Sequence, residues 1–443
     1  MIRFFYNLLL WLLLPVIALY HAYRSVSRGR RMAFAERFGF IPASDLERVR
    51  GAEVLLVHAV SVGETIAVLP LLKALKARYP DKRVVLSNGT ETGRSVALKS
   101  GVPDLCIYFP FDYPFAVATM LERLKPRVVV IMETEIWPNF NHHAARLGIP
   151  VVLANGRISD RSFGRYQRLS WFFAPVLRKF SHLCMQTAQD ASRIIAIGAP
   201  AEKVAVAGNL KYEIPLREVS ATQSAALKAE YRIPAGTFVF TGASTHPGEE
   251  ELVLDAYQAL LAAGGDNFLV LVPRHPERAA GVAELIRKRG LSFRFRSALV
   301  SGEPVARPGE ILLLDTVGEL MKIFSVSDLV YMGGSLVPTG GHNPLEPASC
   351  GVPVLFGPHM ENFREIAAGF LSYGAALKVA DANALSEQVV KLARDAGLRE
   401  TLGAQGLKIL QDNSGATERH LAAVDRCLNE RASGEAAQGR ARG

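Results

Sequence analysis

The sequence predicts an α/β protein of two doubly wound, parallel-sheet domains, and three observations lead there. At 443 residues, 49% of them hydrophobic, the chain exceeds what one core usually organises and has apolar material for two. After residue 50, short unbroken apolar runs alternate with amphipathic stretches, the pattern of buried strands covered by helices. The alternation then pauses across Leu210 to Ala235, a stretch of mixed polarity with Pro215 and Pro234 near its ends, and restarts. That stretch reads as the connection between domains.

The first element stands apart. From Phe4 to Tyr23 no residue carries a formal charge, and about 20 residues at ~1.5 Å each span roughly 30 Å, the thickness of a bilayer core. Apart from Arg3, the positive charge follows the run, as Arg24, Arg28, Arg30, Arg31 and Arg37, and no small-residue cleavage pattern follows it. A cleaved signal peptide is therefore disfavoured. The positive-inside rule puts the Arg cluster and everything beyond it on the cytoplasmic side. Asn7 and Pro15 weaken a straight span, so a helix lying in the interface, with Trp11, Tyr20 and Tyr23 at headgroup level, is the alternative form of attachment.

In the first half, Glu53–Val60, Arg83–Ser87, Leu105–Phe109, Arg127–Met132, Val151–Ala154, Leu183–Gln186 and Val204–Ala207 read as strands. Glu64–Arg78, Glu91–Lys99, Pro114–Leu124, Phe140–Leu147 and Gln189–Ile197 read as helices between them. Strands resume at Thr237–Thr241, Leu269–Val272, Ile311–Leu314, Leu329–Met332, Val354–Phe356 and Ala375–Lys378. From Asn383 to about Asn429 the pattern is helical, and the Gly/Ala/Arg-rich end reads as disordered. The expected organisation is an anchor and basic segment over 1–31, a first domain over 32–212, a second over 213–429 and a disordered tail over 430–443. Two Rossmann-like domains facing across a cleft form the GT-B architecture, which serves glycosyltransferases, some epimerases and phosphorylases, so fold alone leaves the reaction open. Cys106, Cys184, Cys350 and Cys427 lie in or beside apolar runs without metal-ligand spacing, as reduced buried thiols do.

Chemistry should gather at the carboxyl ends of the strands. Strand Glu53–Val60 runs into His58-Ala-Val-Ser-Val-Gly-Glu64, which puts Glu64 in the first helical turn. A carboxylate there either serves catalysis or merely complements the helix dipole. The apolar run Val128–Met132 ends in Glu133-Thr-Glu-Ile-Trp-Pro-Asn139, where two carboxylates two residues apart in extended backbone would point to one side. Such a pair in a partly dry cleft would raise one pKa; in a solvated loop it would do little.

In the second half, Thr241-Gly-Ala-Ser-Thr-His-Pro-Gly-Glu-Glu250 joins a strand to a helix in a form that suits an anion or ordinary capping. Val272-Pro-Arg-His-Pro-Glu-Arg278 sets a guanidinium at a sheet edge, and Asp315-Thr-Val-Gly-Glu-Leu320 ends the next strand. Gly340-Gly-His-Asn-Pro-Leu-Glu-Pro347 lies between the apolar runs Asp328–Met332 and Val352–Phe356. Its glycines and short helix would let backbone N–H groups approach a phosphate, and Glu346 could accept from ribose hydroxyls. P-loop, dinucleotide and nucleophile-elbow motifs are absent from the sequence. His142 and His143 are adjacent, and His246, His275, His342 and His359 sit on separate loops, which argues against a metal cage.

Taken together, and in order along nearly the whole chain, these motifs, the N-terminal anchor and Glu36-Arg-Phe-Gly39 resemble the 3-deoxy-D-manno-octulosonic acid (Kdo) transferases of Gram-negative bacteria. The resemblance implies a GT-B enzyme that transfers Kdo from CMP-Kdo to a lipid A precursor (lipid IVA) at the cytoplasmic face of the inner membrane, with inversion. It implies that Glu64 is the general base and that Glu133 and Lys211 stabilise the transition state, with Glu36 a second candidate for the base. It further implies that Pro273 and Arg274, Val317, Gly318 and Glu319, and Asn343, Pro344, Leu345 and Glu346 hold the CMP. No cofactor, metal or nucleic acid is expected. CMP-Kdo carries a single phosphate, whose charge Lys211 or Arg274 could offset. Rival readings are a UDP-sugar transferase or epimerase of the same fold, or a membrane-tethered nucleotide-binding scaffold without turnover.

Overall fold

The computed structural model describes residues 2–28, 34–217, 219–299, 307 and 309–442, and for residues 2, 17–28 and 434–442 it describes the backbone alone. The chain forms two compact units, Met1–Glu213 with Gly415–Gly443, and Ile214–Ser414. The first is built on β1 (Val54–Ala59), β2 (Arg83–Asn88), β3 (Leu105–Tyr108), β4 (Val128–Met132), β5 (Val151–Gly156), β6 (His182–Met185) and β7 (Val204–Val206). The second is built on β8 (Phe238–Thr245), β9 (Asn267–Pro273), β10 (Phe293–Phe295), β11 (Ile311–Leu313), β12 (Leu329–Met332), β13 (Val354–Phe356) and β14 (Ala376–Lys378).

Each set forms one seven-stranded sheet, ordered β3-β2-β1-β4-β5-β6-β7 and β10-β11-β9-β8-β12-β13-β14. All pairings are parallel. Parallel strands buried on both faces need continuous apolar sequence, and β1 and β4 are buried along their whole length. Alternate residues serve opposite faces: Leu56, Val129 and Ile131 enter one core of the first unit, while Leu55, Val57, Val128 and Val130 enter the other. The α/β doubly wound expectation holds in both halves.

The differences have local causes. The proposed connection contains a helix, Ala221–Glu230, started by a capping box: Gln223 N–H donates to Ser220 Oγ at 3.2 Å and Ser220 N–H to Gln223 Oε1 at 3.0 Å. The Ser-x-x-Gln spacing is the signal that reveals it. Two further helices, Asp160–Arg168 and Ser170–Leu177, and the edge strand β10 also went unread. The expected tail from residue 430 is instead the end of a helix, Ala416–Arg442.

That helix also corrects the domain assignment, because it belongs to the first unit rather than the second. Leu421, Ala423, Val424 and Cys427 complete one core of the first sheet, and Arg431 donates to the carbonyls of Pro126 and Arg127 at 3.1 and 3.0 Å. Chain order had assigned it to the nearer domain, whereas its apolar stripe fits the uncovered face of the farther sheet.

The N-terminal run forms helix Ile2–Arg28 with Pro15 inside it. Polar contacts fasten it to the first unit: Tyr6 OH donates to Asp112 Oδ2 at 2.9 Å, Asn139 Nδ2 to Asn7 Oδ1 at 2.7 Å, and Tyr113 OH to the Leu10 carbonyl at 2.8 Å. Phe4, Phe5, Leu9, Trp11 and Leu12 are exposed. Among the described residues no helix is long and apolar enough to cross a membrane. Of the basic cluster, Arg30 and Arg31 lie outside the described residues, and the side chains of Arg24 and Arg28 outside the described side chains.

Candidate active site

In the first unit the strand order reverses at β1, whose neighbours are β2 and β4. Loops leaving the carboxyl ends of β1 and β4 therefore part in opposite directions and open a crevice, the usual ligand position in such sheets. Glu64 follows β1, and Glu133 and Glu135 follow β4.

Glu64 lies in the first turn of helix Val62–Arg78, whose N-cap Ser61 accepts from Glu64 N–H at 3.3 Å. The Glu64 carboxylate in turn accepts from Val60 N–H at 2.8 Å and from Ser61 Oγ–H at 3.0 Å. The carboxylate therefore does take part in the helix start, and it also lies at the crevice, where a catalytic group would have to be. Only 8% of Glu64 is exposed. Burial pushes its carboxyl up to about 7, helped by the negative charges of Glu133 and Glu135 and opposed by the two hydrogen bonds. A carboxyl poised there exchanges protons readily near neutrality.

Glu133 departs from the extended backbone expected of it. Its φ is 55°, a left-handed conformation uncommon for a residue other than glycine, and its N–H donates to the Ala154 carbonyl on β5 at 2.8 Å. The turn aims Glu133 Oε1 at Lys211 Nζ, 2.7 Å away. Lys211 comes from the short turn Leu210–Tyr212, so strand alternation did not make this arrangement. Burial raises the Glu135 carboxyl, with a further push from Glu133, partly offset by the neighbouring Trp137 indole.

Glu36 lies elsewhere in its bonding. It is buried, receives Arg94 Nη1 on both oxygens at 3.1 Å and accepts Tyr108 N–H at 3.0 Å. Both of its oxygens are thus engaged in holding Arg94 and the Tyr108 backbone, whereas the Glu64 carboxylate lies at the switch crevice. His58 is a core residue, stacked on Phe109 at 3.7 Å and kept neutral by burial, which lowers its imidazole to about 3.

In the second unit the reversal falls at β8, between β9 and β12. Arg274 follows β9, where its N–H donates to the Thr245 carbonyl at 2.9 Å, and its side chain is exposed. Glu346 sits in a short helix of a single turn, Leu345–Ala348. Asn343 organises that turn by accepting Leu345 N–H at 3.2 Å and donating to Glu346 Oε1 at 3.3 Å. Burial raises the Glu346 carboxyl, partly offset by Asn343 and by the Arg274 charge, so Arg274 and Glu346 share one electrostatic neighbourhood.

Val317 is 84% exposed beside Gly318 at φ 88°. The Glu319 carboxylate accepts from Tyr231 OH at 2.7 Å, Arg296 Nε at 2.8 Å and Thr316 Oγ1 at 2.6 Å. Burial alone would raise its pKa, but these partners outweigh it and hold the group low.

Sequence reasoning missed what assembles these loops. Glu249, wholly buried, accepts N–H groups of Gly334, Ser335 and Leu336 at 2.6, 3.0 and 3.0 Å, His246 N–H at 3.0 Å and Tyr331 OH at 2.7 Å. It is the internal anion around which the loop after β12 folds. Gly333 permits this closeness, since a Cβ there would lie 2.4 Å from the Ser244 carbonyl oxygen. Three of the four histidines read as belonging to separate loops converge: His246 Nε2 and His342 Nε2 are 2.9 Å apart, and the His275 ring lies edge-on to His246 at 6.2 Å. Burial keeps His342 neutral, lowered to about 4, with neighbouring His246 and Arg274 adding to the effect. Among the described residues no group of three His, Cys, Asp or Glu side chains is placed to hold a metal ion.

Comparison with known proteins identifies the family. Residues 32–214 match the family model described as 3-Deoxy-D-manno-octulosonic-acid transferase (kdotransferase). A 3-deoxy-D-manno-octulosonic acid transferase of Haemophilus influenzae is 36% identical over 423 residues, covering 95% of this chain and 97% of that protein. One from Bordetella pertussis is 33% identical over 379 residues, covering 83% and 86%. Among solved structures, the C-terminal CMP-Kdo binding domain of WaaA from Acinetobacter baumannii aligns at 34% identity and a TM-score of 0.40, over 43% of this chain and 97% of that one. MurG of the same organism aligns at 14% identity and a TM-score of 0.50, over 85% and 99%, a likeness of fold alone. With extensive identity along nearly its whole length, the chain belongs to the 3-deoxy-D-manno-octulosonic acid transferase family.

Proposed function

We propose that this Kdo transferase uses CMP-Kdo as donor and a lipid A precursor (lipid IVA) as acceptor, and that it inverts the anomeric centre. The observation that carries the reading is Glu64: a buried carboxyl at the switch crevice, raised to about 7, beside a Glu133–Lys211 pair at 2.7 Å. Glu64 takes the proton of an acceptor hydroxyl, the oxygen attacks the anomeric carbon of Kdo, and the bond from that carbon to the phosphate oxygen breaks. CMP leaves with the bonding pair. Lys211, fixed by Glu133, offsets charge that builds up in the transition state. In the second unit Arg274 meets the single phosphate, Asn343 to Glu346 present a ribose acceptor, and Pro273 and Val317 to Glu319 complete the nucleotide contacts.

The same reading puts the enzyme at the inner membrane with its catalytic units on the cytoplasmic side. Helix Ile2–Arg28 turns polar groups toward Asp112 and Asn139 and exposes Phe4, Phe5, Trp11 and Leu12, which favours a helix lying in the interface. Incubation with CMP-Kdo and tetraacylated lipid A precursor, followed by mass analysis of the lipid, tests the proposal. A mass increase of Kdo units, lost in Glu64→Gln, is the expected result. Binding of UDP in preference to CMP, or CMP binding with no lipid product, would reject it.

A further inference from the structure

The Glu133–Lys211 pair is held in place from the opposite end of the chain. His420, on helix Ala416–Arg442, is wholly buried. Its Nδ1 lies 2.7 Å from the Ala416 carbonyl, which can only accept, so Nδ1 carries the proton. Nε2 is thereby left as the acceptor for Asn155 N–H, at 2.9 Å.

Asn155, the penultimate residue of β5, lies at φ 56°, a left-handed conformation uncommon for a residue with a Cβ though more accessible to asparagine than to most. Held there, it serves both members of the pair. Its Oδ1 accepts Leu210 N–H at 2.9 Å, next to Lys211. Its carbonyl accepts Gln186 Nε2 at 3.0 Å, Gln186 Oε1 accepts Asn209 Nδ2 at 3.0 Å, and Asn209 Oδ1 accepts Lys211 N–H at 2.9 Å. The preceding residue, Ala154, accepts Glu133 N–H. A single backbone segment thus supports Glu133 from one side and Lys211 from the other, and His420 holds that segment.

We infer that His420 is a positioning residue: through Asn155 it sets the register between Glu133 and Lys211, making the terminal helix a working part of the active site. The inference rests on the reading of that pair as the group that stabilises the transition state. A purely packing role would be served as well by an apolar side chain of similar volume. An imidazole leaves water only at a cost, which the two hydrogen bonds offset.

The test uses the full-length enzyme with His420→Leu, His420→Gln, Asn155→Gly and Lys211→Ala, each checked for folding by thermal melting and for CMP binding by calorimetry. His420→Leu keeps the volume and removes the acceptor. Asn155→Gly keeps the left-handed backbone and removes the Oδ1 acceptor, reading the same linkage should His420→Leu not fold. The expected result is a kcat lowered roughly 10- to 100-fold, with CMP affinity and donor KM at wild-type values. The acid limb of the pH–rate profile should move upward, because a Glu133 no longer neutralised by Lys211 makes Glu64 harder to ionise. His420→Gln, whose amide oxygen can accept Asn155 N–H, should recover most of the rate. Folded His420→Leu and Asn155→Gly enzymes with unchanged rate, or with a lowered rate and an unmoved acid limb, would overturn the inference while leaving a Lys211→Ala defect to support the site. A Lys211→Ala enzyme of normal rate and profile would instead remove the reading of the pair, and the inference with it.

Discussion

Glu64→Gln separates two consequences of one buried carboxyl, and they run in opposite directions. The group moves from an ordinary 4.5 to about 7, so between those values the folded protein binds a proton that the unfolded chain has released. Stability therefore falls as pH rises through this window and stays at its lower level above about 7. At ~1.4 kcal/mol per tenfold change in proton affinity, the ionised group costs on the order of 3 kcal/mol. Glutamine carries no charge to desolvate, but it exchanges one of the two carboxylate acceptors for a donor, forfeiting about 1 kcal/mol at Val60 N–H or Ser61 Oγ. At pH 8 the variant should then be more stable by about 2 kcal/mol, and near pH 5 this gain should vanish or reverse. Activity moves the other way. Wild-type kcat should rise with pH through an apparent pKa of about 7, and the variant should lose ~10²–10⁴-fold in rate together with that limb. Urea unfolding at pH 5 and 8 and a pH–rate profile of Kdo transfer measure both. A variant equally or less stable at pH 8 would refute the desolvation argument, and retention of most activity would refute the assignment of the base.

If the half-buried Glu346 accepts from the ribose as proposed, Glu346→Ala should weaken CMP binding by about 1–3 kcal/mol, read by calorimetry; an unchanged dissociation constant would reject that contact. Arg274→Gln should weaken CMP much more than cytidine if the exposed guanidinium meets the phosphate as proposed, and an equal loss for both would place Arg274 off the phosphate. Replacing Arg24, Arg28, Arg30 and Arg31 by Gln should leave CMP binding intact and raise KM for the lipid acceptor, each charge contributing on the order of 1 kcal/mol at an anionic surface and less at high salt. Normal kinetics on detergent-dispersed acceptor at low salt would limit these residues to setting topology. Gly403→Ala, whose Cβ would lie 2.1 Å from the Gly351 carbonyl oxygen, should lower stability by roughly 1–3 kcal/mol, and an unchanged melting temperature would show that the backbone there yields.

Much of the candidate site was legible because parallel sheets collect functional groups at strand ends, and strand ends are marked by where apolar runs stop. Val128–Met132 stops at Glu133, and Glu53–Val60 stops four residues short of Glu64; both residues lie at the switch crevice. What stayed hidden depended on partners far along the chain. Glu249 lies in a stretch that suits an anion or ordinary capping by sequence, and its role as the buried centre of a loop rests on donors 85 to 87 residues away. The Glu133 turn could not be read from alternation, because left-handed backbone at a glutamate is imposed by β5 and by Lys211, 78 residues on.

The sequence by itself determined the alternation of strand and helix, the division into two α/β units and the residues offered at each strand end. These follow from short-range patterns: uninterrupted burial along a strand, caps and glycines at its limits, polarity where the chain emerges. Tertiary structure alone decided which sheet the terminal helix covers, and hence that His420 reaches Asn155 across 265 residues. An amphipathic helix specifies only that one of its faces must be buried. Which surface receives that face depends on where an uncovered sheet and an unpaired N–H happen to lie in space, and neither has a signature in the local sequence.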